Sequence, residues 1–451
     1  MAELSVAHRA IVAQLIEHCP DGLLSQLADM TASVPGDRAQ AIAEMMRAAQ
    51  LDRIRRAVAL GPLLPMFSAR PDGVETVHFP PQVLARLWTL AAGREPELLP
   101  VLDDEDRAAV VADRIGLAAA AAVRDQPDVV WPATLTPAER SRGLEELAAC
   151  LDLLHLARRG LPSLVHWIGR PDGDQQAELR LLVRDAAALQ PDGAARIVEI
   201  LLAHLADASL ILRIVTQTSG AAGRESFLSS SEMAGFVDRL IAGVNARVER
   251  IAAFRPAAGL GGVEGLTADV MWCSGVVTEL DVTLSLQPDS PWGRSVRDAR
   301  VRVAGQLVNL LKISEKAVDT ALPMTRVQLA GRMTRMAPKL DAPVAGDAMT
   351  AADVLMRLVG ALRGAASVFG CESDRKKLVE RLIDRLTTYA DEALEMVNGG
   401  EAPDENHALK LIEHSAEFLV HLDATDAART VRRRAAVAGV APTPGESHQA
   451  A

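Results

Sequence analysis

A chain of 451 residues exceeds one ordinary hydrophobic core, and a span of roughly 100 to 200 residues per domain predicts two to four packing units. Hydrophobic residues make up 49% and aromatics only 3%, so the apolar bulk is Ala, Leu and Val, and the abundance of strong helix formers points to an all-α chain. A net charge of −11 argues against nucleic acid as a partner, because that affinity rests on Lys and Arg neutralising phosphates.

Glu3 stands where a secretory leader carries positive charge, and His8, Arg9 and Gln14 follow closely, so a cytoplasmic location is expected. The first half of the chain then shows an apparent duplication. Ala48, Ala49, Leu51 and Asp52 recur as Ala148, Ala149, Leu151 and Asp152. Phe67, with Arg70-Pro71-Asp72-Gly73 behind it, recurs as Trp167 with Arg170-Pro171-Asp172-Gly173, and Pro62 and Leu64 recur as Pro162 and Leu164. All share an offset of 100 residues, from 48 to 148. Pro35 to Arg38 echoes Pro137 to Arg140 at a slightly longer offset. Segments 35–73 and 137–173 are therefore read as copies within a duplicated helical region, 1–218, each offering helices that bury their apolar faces only by stacking.

Pro-Asp-Gly recurs at 20–22, 71–73, 171–173 and 191–193, where Pro presets the backbone and Gly is expected to take the positive φ. Asp103 to Asp106 superficially resembles a magnesium-binding acidic run, but Arg107 stands where a further acid is needed, and acids after Pro100 suit the start of a helix. Thr136-Pro137-Ala138-Glu139 has the spacing of a capping box. Ile197 to Val215 is the most apolar long stretch, yet Glu199, His204, Asp207 and Arg213 interrupt it, which excludes a membrane span and predicts a helix buried in protein.

A central helical unit is expected over 227–337. Gly259 to Gly265 departs from the dinucleotide-binding pattern at Glu264 and is read as a flexible connection. Val282 to Leu286 alternates like a strand but equally suits a helix end. Trp272, Glu279, Asp281 and Trp292 are the candidate lining of a pocket, should the unit hold a small ligand.

Gly- and Pro-rich residues 338–347 mark a boundary before a C-terminal helical unit, 350–437, entered through a cap at Thr350. Leu378, Leu382, Leu386, Tyr389, Ala393 and Val397 form the clearest helical stripe, closed by Asn398-Gly399-Gly400. His407, His414 and His421 follow at intervals of seven, and His414, Glu417 and His421 share one face. They are the best metal-ligand trio, but helical periodicity turns them away from the apolar stripe toward solvent unless a partner covers them, and with no second cluster nearby no metal is expected. Arg429 and Arg432 to Arg434 read as the cationic end of a last helix, and 439–451 as a disordered tail.

Cys19, Cys150, Cys273 and Cys371 are too far apart for a zinc motif and read as free thiols in a reducing compartment. No nucleophile elbow, phosphate loop or zinc-protease motif occurs, and no cofactor is implied. The fold expected is an all-α helical array or multi-bundle, α-solenoid-like, with an internal duplication of about 100 residues in its N-terminal half. The function expected is a protein-binding or scaffold role without catalysis, the partner being another protein held between helices. The alternative is an all-α enzyme or small-ligand receptor with its pocket in the central unit.

Overall fold

The computed structural model describes residues 4–131, 136–218, 224–255, 259–328 and 334–438, so the expected tail lies outside the described residues. Among those described, the chain forms twenty α-helices and one two-stranded sheet, an all-α architecture. It divides into two compact units, Met1–Phe236 and Val237–Ala451.

The first unit contains α1 (Val6–His18), α2 (Asp21–Ala32), α3 (Asp37–Leu60), α4 (Pro81–Arg94), α5 (Glu105–Asp125), α6 (Pro127–Val130), α7 (Pro137–Asp152), α8 (Leu154–Gly160), α9 (Leu164–Trp167), α10 (Gly173–Leu189), α11 (Gly193–Ala203), α12 (Ile211–Thr218) and α13 (Glu225–Leu228). The capping box at α7 forms as its spacing requires: Thr136 Oγ1 accepts from the Glu139 amide, and the Glu139 carboxylate accepts from the Thr136 amide at 3.1 Å. The acids after Pro100 act locally. Asp104 caps α5 by accepting from the Asp106 amide, and Asp103 receives two hydrogen bonds from Arg55, which hold its carboxyl below the ordinary range. The apolar stretch 197–215 is two buried helices, α11 and α12, rather than one, because Asp207 turns the chain by accepting from the amide and hydroxyl of Ser209.

With few rings available, the interior rests on small clusters. Phe67 and Phe79 lie with centroids 5.6 Å apart, and Phe79 meets Trp131 edge to face at 6.3 Å. Helix C-termini leave carbonyls without intrahelical partners, and arginines supply the donors. Arg158 donates to the carbonyls of Val58 and Ala59 at the end of α3, both at 2.7 Å. Arg70, paired with Asp72, reaches the carbonyls of Leu202 and Leu205 beyond α11. Arg53 takes those of Ile16 and Cys19 at the end of α1. No lysine precedes Lys312, so the cationic donors here are arginines, joined by glutamine where Gln217 donates to the Trp167 carbonyl at the end of α9 at 3.0 Å.

The two segments matched in the sequence run through similar elements. α3 is followed by a 3-10 helix, Gly61–Phe67, and the Arg70 turn; α7 and α8 are followed by a 3-10 turn, Leu161–Ser163, and α9. Phe67 and Trp167 are both buried. They diverge at the turn, where Gly73 takes a positive φ of 68° but Asp172 caps α10. The other Pro-Asp-Gly sites also depart from the expected geometry. Asp21 and Gly22 already belong to α2, and at 191–193 it is Asp192 that takes the positive φ, 57°. Gly193 is needed there for a different reason: a Cβ on it would stand 2.0 Å from the carbonyl oxygen of Ala186.

The second unit contains α14 (Ala234–Ala253), α15 (Gly259–Thr283), α16 (Pro291–Ala321), the antiparallel strands β1 (Met324–Gln328) and β2 (Thr334–Pro338), α17 (Asp347–Ala361), α18 (Glu372–Asn398), α19 (Glu405–His421) and α20 (Thr425–Ala438). Three expectations are corrected. Gly259 to Gly265 is the first turns of α15 rather than a flexible connection, with Gly259 at φ 69° starting the helix. The stretch expected to be helical to 337 ends in the hairpin, whose Thr325 and Val327 pair with Ala337 and Arg335 and favour extended backbone. α17 starts at Asp347 after Gly346, so Thr350 lies within the helix and does not cap it. Val282 to Leu286 is a helix end, α15 stopping at Thr283. The stripe Leu378 to Val397 is buried along α18, which packs against α16, α19 and α20.

Two outcomes follow for stability. Gly193→Ala is expected to cost about 1–3 kcal/mol through overpacking against Ala186, read from denaturant midpoints. Phe67→Ala and Trp167→Ala are each expected to cost on the order of 3–5 kcal/mol; a loss under 1 kcal/mol at either, in the same titration, would mean the ring fills no structural hole.

Candidate functional site

The first unit carries a cleft of about 710 Å³ between the end of α5, α6, α7 and the turn leading into α11. Its floor is made by small side chains of α7, Ala148 and Ala149, with Ser141 and Leu144 beside them. The three arginines on its walls are paired. Arg140 donates to Asp128 at 2.5 Å, Arg124 pairs with Asp152, and Arg196 holds Glu146 through Nε at 3.1 Å while donating to the Pro191 carbonyl at 2.6 Å. Gln190 donates to the Ala149 carbonyl at 2.8 Å, which fastens the turn to the floor. Ser141 donates to Glu145 at 3.1 Å, and no histidine is among the lining residues. A site so built offers shape, apolar contact and outward hydrogen-bonding capacity from paired charges.

A second cleft, of about 480 Å³, lies between α1, α3 and α4, and its lining includes Ala48 and Ala49. Trp88 forms one wall and donates from Nε1 to Asp52 at 2.8 Å. A smaller hollow of about 290 Å³ shares Arg53 and Arg56 with it and extends toward Phe67 and Leu84. The alanine pairs lining the two larger clefts are the pairs matched in the sequence at an offset of 100.

Three of the four residues named for a ligand pocket make distinct contacts in the second unit. Trp272 stacks under the Arg247 guanidinium, whose carbon is 3.5 Å from the ring centroid. Trp292 donates to Asp238 at 2.6 Å, joining α16 to α14. Glu279 is buried, whereas Asp281 is exposed and pairs with Arg300. None of the four lines either of the two larger clefts of the first unit.

The histidines of α19 face differently from the sequence expectation. They do not point into solvent but across to the segment that enters α17. His407 Nε2 bonds the Ala342 carbonyl at 2.7 Å, His414 Nε2 the Val344 carbonyl at 2.9 Å, and His421 Nε2 the Asp353 carboxylate at 2.8 Å. Glu417 bonds His414 Nδ1 at 2.9 Å. The interval of seven thus lays one straight row of rings along a strap of chain. No group of three or more metal-ligating side chains converges among the described residues. Periodicity located the face but could not show that 342–353 covers it.

Three of the four thiols are buried, Cys150, Cys273 and Cys371, and Cys19 is half-buried; all four are free. Burial pushes the Cys273 thiol up to about 12, which keeps it protonated and unreactive at neutral pH. Among the described residues no helix is long and apolar enough to cross a membrane. Comparison with known proteins finds no match: no family model fits the chain, and no curated protein or solved structure aligns with it.

His414→Ala is expected to speed amide exchange in residues 342–346 about five- to tenfold, the worth of one hydrogen bond of about 1 kcal/mol. Unchanged protection there, measured by mass spectrometry, would show that the strap is held by other contacts.

Proposed function

We propose that this chain is a helical protein-binding or scaffold protein without catalytic activity, whose first unit receives segments of another protein in the clefts lined by Ala148-Ala149 and Ala48-Ala49. The repetition carries this reading: an alanine pair, at one offset, is among the residues lining a cleft in each matched segment. Small side chains on a helix let another backbone approach closely, while paired arginines and carboxylates at the walls keep donors and acceptors available to a peptide. The duplication of 35–73 and 137–173 is part of the same proposal, since two copies of a stacked unit would repeat their groove. Four free thiols fit a cytoplasmic setting. The alternative is an enzyme or receptor site in the second unit around Trp272, Glu279, Asp281 and Trp292; the contacts of Trp272 with Arg247, Trp292 with Asp238 and Asp281 with Arg300 favour structural roles for those three.

A photoreactive side chain placed at Ser141, and separately at Thr89, tests the reading in cell extract. The expected product is one protein partner cross-linked from both positions. Ser141→Trp should then weaken its capture at least tenfold, about 1.4 kcal/mol. Cross-linking to no protein, or capture that ignores the tryptophan, would overturn the proposal.

A further inference from the structure

We propose that the outer edge of β1 receives an extended acidic segment of another protein as a third strand of the hairpin, on a surface separate from the clefts of the first unit. The register fixes which backbone groups face outward. Lys339 donates its amide to the Pro323 carbonyl at 2.9 Å, and the pairing continues without interruption from Met324 with Pro338 to Gln328 with Thr334. Hydrogen-bonded and open pairs alternate along an antiparallel ladder. Thr325 and Val327 therefore bond across to Ala337 and Arg335, while Met324, Arg326 and Gln328 turn their N–H and C=O groups away from β2. Arg326 and Gln328 are exposed, and among the described residues no other segment bonds the backbone of either. The two edges of the hairpin differ. β2 packs against α18, and at its own outward position Pro338 has no N–H to offer. Proline and a covering helix both close a sheet edge to further strands; β1 has neither. A bare edge takes an added strand through main-chain hydrogen bonds, and side chains set the choice of partner.

Charge selects the occupant. Residues 322–340 contain no Asp or Glu, in a chain whose net charge is −11. Among the described residues Arg326 and Lys339 have no ion-pair partner, and Arg335 has one, Glu401 at 3.4 Å. A strand laid antiparallel along β1 sets one residue directly opposite Arg326 on the same face, exchanging both main-chain bonds with it, and an acid there forms a cross-strand ion pair. The residues on either side of that acid fall on the other face, beside Thr325 and Val327. Val327 is 38% exposed, so β-branched apolar side chains suit those places. The segment recognised therefore alternates apolar and acidic residues. A second copy of β1 is a poorer occupant. Pairing centred on Arg326 sets two guanidinium groups opposite each other, and sliding it by two residues to avoid this leaves two outward-bonded pairs in place of three. Nucleic acid has no peptide groups to extend the ladder and is repelled by the excess of acids elsewhere on the chain.

Fluorescence anisotropy of a labelled peptide, Thr-Val-Glu-Val-Glu-Val-Thr with blocked ends, titrated with the full chain at low ionic strength, is the test. Binding is expected, about tenfold or more tighter than for the same peptide with Lys at both Glu positions. N-methylation of the two Glu amides should abolish it, because those amides bond to the edge; this comparison uses the unaltered protein. Arg326→Glu should weaken binding about tenfold. Gln328→Pro, which removes an outward amide but no bond between β1 and β2, should weaken it likewise, whereas Gln328→Ala should leave it unchanged. No binding of the Glu peptide, equal binding of the Lys peptide, or binding indifferent to N-methylation would each overturn the proposal. So would tighter binding of a single-stranded oligonucleotide that displaces the peptide, in favour of nucleic acid, or a dimer of the chain that Arg326→Pro dissociates in sedimentation velocity, in favour of a second copy.

Discussion

The arrangement of helices rests on guanidinium groups that fill the open carbonyls at helix ends. An α-helix finishes with four acceptors and no intrahelical donors for them, and burying such an end without partners is costly. Arg158 closes α3, Arg70 closes α11, Arg53 closes α1, and in the second unit Arg375 donates from Nε to the Val359 carbonyl near the end of α17 at 3.0 Å. Each such residue comes from a segment remote in sequence from the end it closes. These contacts therefore fix which helices meet, and the planar fork of arginine serves two carbonyls at once where an ammonium could not hold the same geometry. In a chain with so few rings, directional ties of this kind complement a core built mainly of Ala, Leu and Val.

Clefts and strap follow from those ties. The Ala148-Ala149 floor remains open because Gln190 and Arg196 pin the turn before α11 beside it, without covering it. The row of histidines on α19 does the opposite, drawing the strap before α17 down onto a face that would otherwise be open. Side chains of similar polarity thus leave one surface available and close another, and the difference lies in where the distant segment is anchored.

Much of the helical framework is legible in the residues themselves. The α18 stripe and the capping box at Thr136 depend on spacing within one element, and both form as the spacing requires. What fails to show is set by partners distant in the chain. His414 and His421 sit on a face that periodicity alone assigns to solvent, because the strap that covers it arrives from some seventy positions earlier. The hairpin of β1 and β2 carries only two five-residue strands, too short for alternation to stand out. Gly259 to Gly265 looks like a linker by composition, yet the apolar positions that follow, Val263 and Leu266 onward, bury against neighbours and outweigh the cost of glycine in a helix. The alanine pairs match at one offset in the sequence; that they line clefts does not show there, since alanine is as common in packed helices as at their open faces.

The absence of lysine ahead of Lys312 has a chemical consequence. Side-chain amines occur only in the second unit, so lysine acetylation, ubiquitin attachment at lysine and lysine side-chain labelling are all confined to it, while the helices of the first unit offer them no side-chain target. The groove-bearing half of the chain keeps its positive charges fixed across the physiological pH range except at histidine, and beyond the reach of modifications that neutralise lysine.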